Sequence, residues 1–437
     1  MRVLIVSYYF PPAAGGGVQR VLKWCKFLPD SDVEVHVLTP DDPKWLDTGG
    51  GLTVPPNTVV HRTRNLAPAA VRPSDVIAQA GGRIRRLWRT LLLQPRRLLV
   101  PDVAIAWSLT SVRQGIRVVR KHDIDLVIST SPPETCHVIA RRISRATGVP
   151  WIADFRDSWL DLPHLRTDRL LVRLKHRYNT RLATRMLRHA STITTVSKPL
   201  AQDLTRRHPD TPVHVIPNGI DLDDLQEIPP PLPLQSDVHR SDRCVIAYTG
   251  NFFGRQSPQR FLDATAALLE RRPALIDQLV IRFVGGLKPE DHALIDGSPA
   301  LRSVIERIPF SDYRDVLAEQ AAADILLLYV APGANSQGVY TGKVFEYVAA
   351  QRPVLALVPH DNVCVDLLTR AGTGHQVEPD DVSAISATME QLIDQRLNHG
   401  RVECRVDTQV LDSISRKHQA EELAELIGRI CADHQSK

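Results

Sequence analysis

The chain has 437 residues, of which 43% are hydrophobic and 24% are charged, and its formal net charge is +5. These values are typical of a soluble globular protein and exclude general disorder. At about 100 to 200 residues per domain, the length predicts two domains. The six cysteines show no CxxC spacing. We therefore expect neither a zinc site nor a disulfide framework, and a reducing cytoplasm is the expected setting.

The net charge is unevenly distributed along the chain. Residues 1–220 contain 33 Lys and Arg against 17 Asp and Glu, whereas the remainder contains 21 against 32. The basic excess therefore belongs to the first half, which indicates an anionic partner there. No apolar run reaches the roughly 18 to 20 residues that span a bilayer, and the apolar N-terminus is predicted to be a strand rather than a signal peptide.

Strand-like apolar runs alternate with helix-length segments in two series. The first series comprises residues 3–7, 33–38, 126–129, 151–154, 192–197 and 213–217, and the second comprises 244–249, 279–284, 325–329 and 354–357. This alternation predicts two α/β domains, each with a parallel sheet and helices on both faces. We place the domains at residues 1–220 and 244–407.

Two further segments complete this organisation. Residues 221–243 are polar and rich in proline, which predicts a linker between the domains. Apolar residues at helical spacing over residues 410–431 predict one long amphipathic helix, so residues 408–437 are assigned to a C-terminal helix.

A glycine run follows the first predicted strand and precedes a helix. Gly15, Gly16 and Gly17 could place the helix N-terminus against a phosphate or a sugar hydroxyl, or they could only allow a tight turn. The run does not follow the strand directly and lacks the GxGxxG spacing, so a nicotinamide site is not expected.

Five segments in order carry a resemblance to a known family: VLIVSYYFPPAAGGGVQR, WIADFRDSW, VIPNGID, AYTGNFFGR and TGKVFEYVAAQRPVLA. On these segments the chain resembles the family 4 glycosyltransferases of the GT-B fold, which use nucleotide-sugars and retain anomeric configuration. The resemblance implies two tandem Rossmann-like, doubly wound domains that face each other across a cleft. It also implies that the N-terminal domain binds the acceptor and the C-terminal domain binds the donor.

The resemblance assigns donor-binding roles in the second half of the chain. Arg255, in the loop that begins at Gly250, matches a basic position that pairs with the diphosphate, and Glu346 matches a glutamate that contacts the ribose hydroxyls. The family's other glutamate, which contacts the sugar, is replaced by Gly338. The chain instead resembles a branch with a lysine, here Lys343, three residues before the remaining glutamate.

Residue chemistry suits these roles. A guanidinium pairs well with phosphate oxygens, and a carboxylate can accept hydrogen bonds from two vicinal hydroxyls. Lys343 can reach a diphosphate, while Thr341 and Gly342 at the predicted helix start would add a hydroxyl and an approachable N–H. The alternatives are an exposed loop arginine at 255 and an ordinary salt bridge between Lys343 and Glu346.

Polar side chains also follow the predicted strand at residues 151–154. Asp154, Arg156 and Asp157 lie at its carboxyl end, where parallel sheets expose catalytic groups. One aspartate, with Asp157 favoured over Asp154, could accept or orient the proton of the acceptor hydroxyl, while Arg156 anchors substrate or phosphate. The alternative is a buried Asp–Arg pair that only ties a loop to the sheet.

Metal and cofactor are not expected. The motif Asp123-Ile124-Asp125 resembles a metal-binding Asp-x-Asp, but it precedes a strand and so lies at the wrong end of a parallel sheet. We interpret it as a solvated strand entry, with cationic side chains and helix N-termini taking the place of a metal. The nucleotide-sugar is a co-substrate.

Basic, apolar-interleaved segments indicate a membrane partner. Residues 81–102 alternate arginines with Ile, Leu and Trp, which is typical of an interfacial helix, and residues 164–188 form a second basic stretch. An anionic membrane surface or a lipid-diphosphate acceptor would suit this charge, although a solvated arginine surface is the alternative. Nucleic acid is not expected, since aromatic content is 5% and no recognised module is present.

The sequence therefore predicts a cytoplasmic, metal-independent hexosyltransferase, peripheral on the inner face of the cell membrane. It would move a sugar from a UDP-linked donor to a glycan or polyprenyl-diphosphate-linked acceptor, with retention, in cell-surface polysaccharide or glycolipid biosynthesis. The alternatives are a nucleotide-sugar epimerase on the same fold and a non-catalytic binder of nucleotide-sugars or glycans.

Overall fold

The structure is a computed structural model that describes residues 1–13, 16–42, 52–67, 99–159, 170–226, 228, 243–252, 256–309, 312–333 and 336–436. The chain divides into two compact units, Met1–Pro217 with Gln419–Lys437, and Asn218–His418. Most of the predicted linker over residues 221–243 lies outside the described residues. Each unit is built around one parallel sheet.

The first unit contains a seven-stranded sheet in the order β3-β2-β1-β4-β5-β6-β7, and all of its pairs are parallel. The strands are β1 (Arg2–Val6), β2 (Glu34–Pro40), β3 (Thr58–Thr63), β4 (Leu126–Ser131), β5 (Trp151–Phe155), β6 (Thr192–Thr195) and β7 (Val213–Val215). The described helices are α1 (Gly16–Phe27), α2 (Ser108–Lys121), α3 (Thr135–Thr147), α4 (Leu170–Leu187), α5 (Lys198–Arg207) and, from the chain end, α14 (Arg416–Gln435).

The central strands of this sheet are apolar on both faces because helices cover both. In β1, Val3 and Ile5 pack into one core with residues of α1 and α14, while Leu4 and Val6 pack into a second core with residues of α2 and α3. A sheet covered on both sides needs continuous rather than alternating apolar strands, which is what β1 and β4 supply.

The second unit contains a six-stranded sheet in the order β10-β9-β8-β11-β12-β13, again parallel throughout. Its strands are β8 (Cys244–Thr249), β9 (Leu279–Val284), β10 (Ile305–Ile308), β11 (Ile325–Tyr329), β12 (Val354–Leu357) and β13 (Gly374–Val377). The described helices are α6 (Gln259–Arg271), α7 (Pro289–Gly297), α8 (Pro299–Val304), α9 (Tyr313–Ala322), α10 (Gly342–Ala349), α11 (Val363–Ala371), α12 (Val382–His399) and α13 (Thr408–Ser413).

The predicted fold class is confirmed, because both sheets are parallel and carry helices on both faces. Every predicted strand is present. Three strands were not predicted, namely β3, β10 and β13, and all three are sheet edges. Edge strands have a paired neighbour on one side only, and β3 and β13 each have exposed or partly buried positions with one buried residue at the end, so they lack a buried apolar run.

The C-terminal segment differs from the prediction. Instead of one helix over residues 410–431, the structure has α13 and α14, with Ile414 and Ser415 between them; Ile220 pairs with Ser415 in an isolated bridge. The apolar side of α14, including Leu423 and Ile427, packs into the core of the first unit. Residues 419–437 therefore complete the N-terminal unit rather than forming a separate segment.

Among the residues that the structure describes, no helix is both long enough and apolar enough to cross a bilayer.

Candidate functional site

Both sheets reverse their strand order beside the first strand of the unit, between β1 and β4 and between β8 and β11. In doubly wound sheets, ligands bind beyond the carboxyl ends of the strands at this reversal. In the second unit these ends lead into the loop that starts at Gly250 and, after β11, towards α10. The predicted donor-binding residues Gly250, Lys343 and Glu346 therefore lie at the carboxyl end of the second sheet.

The structure brings Gly250 and Lys343 into direct contact. Gly250 has a φ of +111°, a conformation that residues with a side chain rarely adopt, and a Cβ built there would lie 2.5 Å from Cε of Lys343. Glycine is needed here both for the backbone turn and for the space that the lysine stem occupies. The backbone after β8 and the side chain on α10 thus form one arrangement.

Lys343 lies over the ring of Tyr248, the penultimate residue of β8. Its Nζ is 4.2 Å from the ring centroid and donates a hydrogen bond of 2.7 Å to the Tyr248 hydroxyl. Burial lowers the pKa of Lys343 to about 8, although Glu346 acts to raise it. The ammonium is therefore poorly solvated, and an anionic ligand would supply a negative charge that compensates it.

Glu346, one turn further along α10, is partly buried within a polar network. Its Oε2 accepts a hydrogen bond of 2.8 Å from Nε2 of Gln320, and Tyr313 also donates to the carboxylate. Burial raises the pKa of Glu346, whereas Gln320, Lys343 and Tyr313 lower it, and the net direction is upward. These donors hold the carboxylate in one orientation.

The same glutamine ties this network to the end of β8. Nε2 of Gln320 donates to the Thr249 hydroxyl at 2.9 Å, and the Tyr347 hydroxyl accepts from the Thr249 backbone N–H at 3.2 Å. The opposite side of α10 is apolar, since Val344, Phe345 and Val348 are buried in the core. The lysine and glutamate therefore lie on the polar side of the helix, as the periodicity predicted.

Tyr248 and Gln320 were missed by the sequence analysis. Tyr248 lies inside an apolar strand, and Gln320 lies in α9, away from any recognisable motif. The sequence offers one weak signal, the tyrosine hydroxyl one residue before a strand ends, and none for Gln320, whose 0% exposure is visible only in the structure. Buried polar groups require partners, so Gln320 marks a network once the structure is known.

The start of α10 has the predicted form. Thr341 is the N-cap residue, its side chain makes no capping hydrogen bond, and no atom lies within 4 Å of a Cβ built at Gly342. Gly338, where the family's other glutamate would stand, lies in a short 3-10 turn (Ser336–Gly338). Asn362 holds this turn by donating from Nδ2 to the carbonyl of Ser336.

Two predicted residues lie outside the described part of the chain. Arg255 belongs to the stretch 253–255 and Gly15 to the stretch 14–15. Residues 81–98 of the first basic segment and residues 164–169 of the second also lie outside the described part of the chain. Their predicted roles remain predictions.

In the first unit, Asp154 is held by an ion pair. It is 0% exposed, and its carboxylate accepts from Arg20 Nη2 at 2.8 Å and Nε at 3.1 Å. Hydroxyls of Thr130 and Thr194 also donate to it, at 2.7 and 2.8 Å. Burial alone would raise the pKa of Asp154, but Arg20 and the hydroxyls lower it below its usual value. This geometry favours the structural alternative over a catalytic role.

Arg156 contacts three backbone carbonyls in two segments of the chain. It donates to the carbonyls of Ser131 at 2.9 Å, Pro132 at 2.9 Å and Gly17 at 2.6 Å, and it lies over the ring of Tyr9. Helix α1 begins at Gly16, inside the glycine run, and a Cβ at Gly17 would meet Arg156 Nη1 at 3.3 Å. The guanidinium thus positions the glycine run against the end of β4.

Asp157 differs from Asp154 because its side chain reaches solvent. The surrounding protein nevertheless desolvates it enough to raise its pKa, although Arg156 acts to lower it. Of the two aspartates, Asp157 is exposed and Asp154 is buried, and the preference for Asp157 as the acceptor-orienting residue stays a prediction.

A carboxyl pair near this position was not predicted. Asp102 accepts from the Thr135 backbone N–H and hydroxyl at 2.8 Å each, and it shares a hydrogen bond with Glu134. Burial, followed by the charge of Asp102, raises the pKa of Glu134 to about 8. Lys175 on α4 is close enough to be influenced by both acids. Glu134 immediately precedes α3, after the β4 end, so the pair lies at the reversal point of the first sheet.

The Asp-x-Asp motif has structural partners. Asp125 Oδ2 accepts from the Arg2 backbone N–H at 2.7 Å, and Asp123 lies 3.8 Å from the Arg2 guanidinium. Both residues precede β4 and lie at the end of the sheet opposite the glycine run. The interpretation as a strand entry agrees with these contacts.

Comparison with known proteins gives one family match and many structural matches. Residues 15–219 match the family described as Glycosyl transferase 4-like domain. No curated protein sequence matches the chain significantly. Sucrose-phosphate synthase from Thermosynechococcus elongatus is similar in structure with a TM-score of 0.60 at 16% identity, covering 99% of this chain and 100% of that one.

Two further structures have the same architecture. Anabaena HepE in complex with UDP gives a TM-score of 0.57 at 15% identity, covering 100% of this chain and 99% of that one. WaaG, a glycosyltransferase involved in lipopolysaccharide biosynthesis, gives a TM-score of 0.53 at 15% identity, covering 98% and 99%. At these identities the likeness shows the fold, which is GT-B.

The fold and the matched family together define the class of protein: the chain is a glycosyltransferase of the GT-B fold. Residues 15–219 belong to the glycosyl transferase 4-like family. The resemblance to family 4 glycosyltransferases found in the sequence is thereby confirmed.

Proposed function

We propose that this glycosyltransferase moves a hexosyl group from a UDP-linked sugar to a glycan or lipid-linked acceptor with retention of configuration. The observation that carries the proposal is the pair of Lys343 and Glu346 at the carboxyl end of the second sheet. Lys343 is a partly buried cation whose pKa is lowered to about 8, and Glu346 is an oriented carboxylate on the same side of α10. A nucleoside diphosphate offers an anion for the first and vicinal hydroxyls for the second.

Lys343 would act mainly on the leaving group. When the bond between sugar and diphosphate breaks, negative charge develops on the diphosphate, and a preorganised ammonium in a poorly solvated position stabilises that charge. In this proposal Arg255 adds a second cation, and the backbone N–H of Gly342 at the start of α10 adds a dipole. No metal ion and no cofactor are then required for this step.

The first unit would supply the acceptor site. Asp157 is exposed at the end of β5, and the Asp102–Glu134 pair lies after β4, so carboxyl groups are available to orient an acceptor hydroxyl. The similar HepE structure contains UDP, and WaaG is involved in lipopolysaccharide biosynthesis. These two similar proteins support a UDP-linked donor and a cell-surface glycan or lipid-linked product.

A surface of α4 supports location at a membrane. Leu174 and Tyr178 are 51% and 57% exposed, and they alternate with the exposed arginines 173, 177 and 181. Exposed apolar side chains among cations suit the headgroup region of an anionic bilayer. We accordingly place the enzyme at the cytoplasmic face of the cell membrane, bound peripherally.

The test is a transfer assay with a panel of UDP-, GDP- and ADP-sugars, each with a lipid-linked glycan, a sugar phosphate or no acceptor. We expect release of UDP that depends on the lipid-linked acceptor, is unaffected by a chelator, and gives a product with the donor's anomeric configuration by NMR. UDP release without any acceptor, or donor epimerisation, would favour the epimerase. Binding without either reaction would favour a non-catalytic binder.

A matched pair of variants separates membrane binding from transfer. Leu174→Glu should reduce cosedimentation with vesicles containing phosphatidylserine, whereas Leu109→Glu, at a residue 66% exposed on α2, should not. Both variants should transfer sugar to a water-soluble acceptor analogue at the wild-type rate. Equal vesicle binding by the two variants would contradict the membrane assignment of α4.

A further inference from the structure

Three histidines converge at a part of the first unit that the proposed transfer reaction does not use. His36 lies in β2, His61 in β3, and His122 follows the end of α2. One ring nitrogen from each lies within 4.8 Å of the other two. Nδ1 of His36 and Nε2 of His61 are 3.0 Å apart, and their rings are stacked at 5.3 Å with an interplanar angle of 7°.

The strand register explains why these side chains meet. His36 is paired with Val59, so His61 lies two residues further along β3 and its side chain is on the same face of the sheet. Helix α2 packs over this face, and its C-terminal end brings the ring of His122 to 4.8 Å from that of His36 and 5.4 Å from that of His61. The three rings therefore come from three separate elements.

Glu34 orients the central ring. Its Oε1 is 3.1 Å from Nε2 of His36, and a carboxylate can only accept there, so Nε2 carries the proton. Nδ1 of His36 is then unprotonated and accepts the hydrogen bond from Nε2–H of His61. A metal ion bound between the two nitrogens replaces that proton, and His61 then takes the tautomer with its proton on Nδ1. A histidine that donates one ring N–H to a carboxylate and offers its other nitrogen is the usual arrangement of a metal ligand.

We propose that His36 Nδ1, His61 Nε2 and one ring nitrogen of His122 bind a divalent transition-metal ion of the Zn²⁺ type, with Glu34 as a positioning residue. Zn–N distances of about 2.0 to 2.1 Å place tetrahedral ligand atoms about 3.3 Å apart. The 3.0 Å between the His36 and His61 nitrogens is close to that spacing, and side-chain rotation would have to close the remaining distances, which are at most 4.8 Å. Imidazole donors select ions of this group over Mg²⁺ and Ca²⁺.

The neighbouring charges permit a cation at this position. Arg2 opposes it, and so does Lys121, which is close enough to act on His61. Arg2, however, pairs with Glu34 at 3.2 Å and lies 3.8 Å from Asp123. The ion would join the edge strand β3 to β2 and to the end of α2, which gives it a structural role in the first unit. His36 lies in the N-terminal half of β2, and His122 lies just after the C-terminal end of α2. The glycine run, in contrast, lies beyond the carboxyl end of β1. Sugar transfer and metal binding can therefore fail independently.

The experiment uses the full chain without a histidine tag, stripped with a chelator and dialysed against ZnCl₂ or MgCl₂. We expect one zinc per chain by elemental analysis, a higher unfolding temperature with zinc, and no such effect of magnesium. With Co²⁺ as a spectroscopic probe, we expect the intense visible bands of a four-coordinate site. Substoichiometric zinc in the wild-type chain would overturn the proposal.

Variants test which residues hold the ion. His61→Asn and His122→Asn, at residues that are only partly buried, should each abolish stoichiometric zinc and the cobalt bands, while far-UV circular dichroism verifies folding. His399→Asn, at an exposed histidine of α12, is the matched control and should retain both. Glu34→Ala should weaken zinc binding by about 10- to 100-fold. Zinc retained by both cluster variants would also overturn the proposal.

Discussion

Replacement of Lys343 by methionine should weaken donor binding and, at the same time, stabilise the protein without ligand. The drop in the pKa of Lys343 from 10.5 to about 8 corresponds to about 3 kcal/mol of unfavourable free energy for holding the ammonium in the fold. Methionine has a similar length and no charge. Loss of the hydrogen bond to Tyr248 offsets about 1 kcal/mol of the gain.

The net gain of about 2 kcal/mol predicts a rise of about 4 to 8 °C in the unfolding temperature of the second unit at pH 7. Because the pKa is lowered in the folded state, the unfolded chain holds the proton between pH 8 and 10.5 while the folded protein has released it. Wild-type stability therefore rises with pH across that window, and the advantage of Lys343→Met shrinks there.

Donor affinity should change in the opposite direction. A hydrogen bond from a charged group to a phosphate contributes about 1.5 to 3 kcal/mol, so Lys343→Met should bind UDP about 10- to 150-fold more weakly at pH 7. Wild-type affinity should fall above about pH 8 as the lysine loses its proton, whereas that of the variant should not follow this titration.

Calorimetric unfolding and isothermal titration with UDP, each at pH 7 and 9.5, measure both effects. Lys198→Met, at an exposed lysine in the first turn of α5 in the other unit, is the control and should change neither quantity. A variant that binds UDP as tightly as the wild type, or that unfolds at a lower temperature at pH 7, would refute the assignment of Lys343.

Three further substitutions test other parts of the two sites. Gly250→Ala should destabilise the second unit by about 1 to 3 kcal/mol and weaken UDP binding, since its Cβ would meet Lys343 at 2.5 Å. Gly297→Ala is the control, because no atom lies within 4 Å of a Cβ built there. Equal denaturant midpoints for the two variants would contradict the expectation. Asp154→Asn should lower the free energy of unfolding by about 3 to 5 kcal/mol and leave UDP affinity unchanged, because it breaks a buried ion pair; a fully stable but inactive variant would instead support a catalytic role. Glu134→Gln should raise the unfolding temperature at pH 7, and its advantage over the wild type should shrink as pH falls from 7 towards 4.5. The reason is that the pKa of Glu134, raised to about 8, makes the wild-type chain lose stability as pH rises through this window. A difference in unfolding temperature that does not vary with pH would count against the raised pKa.

The strands could be predicted from the sequence where burial on both faces requires a continuous run of apolar residues. Strands covered on both faces, such as β4 and β8, consist of continuous apolar runs and were predicted within two residues at each end. The edge strands were not, because residues such as His61 in β3 and His375 in β13 serve partly exposed positions. Strand identity at an edge depends on the neighbouring strand, which lies elsewhere in the sequence.

In the candidate site, too, features with a local sequence signal were predicted and those that depend on distant residues were not. Helical periodicity was sufficient to place Lys343 and Glu346 on one side of α10, away from the core. It could not identify Gln320, which is 26 residues from Glu346, or the Arg20 partner of Asp154, which is 134 residues away. Which of two aspartates at a strand end is buried depends on such distant partners. Here Thr130, Thr194 and Arg20 enclose Asp154 and leave Asp157 exposed.

The return of α14 to the first unit has a consequence for the order of events during synthesis. Asn218–His418 is one uninterrupted segment, so its core can close as soon as that segment has left the ribosome. The sheet of the first unit is made earlier, but Val3 and Ile5 stay partly uncovered until Leu423 and Ile427 have been synthesised, which happens after the second unit. The first unit is thus begun before the second and completed after it, and shortening the chain before α14 should expose apolar surface on the first unit while leaving the second unit intact.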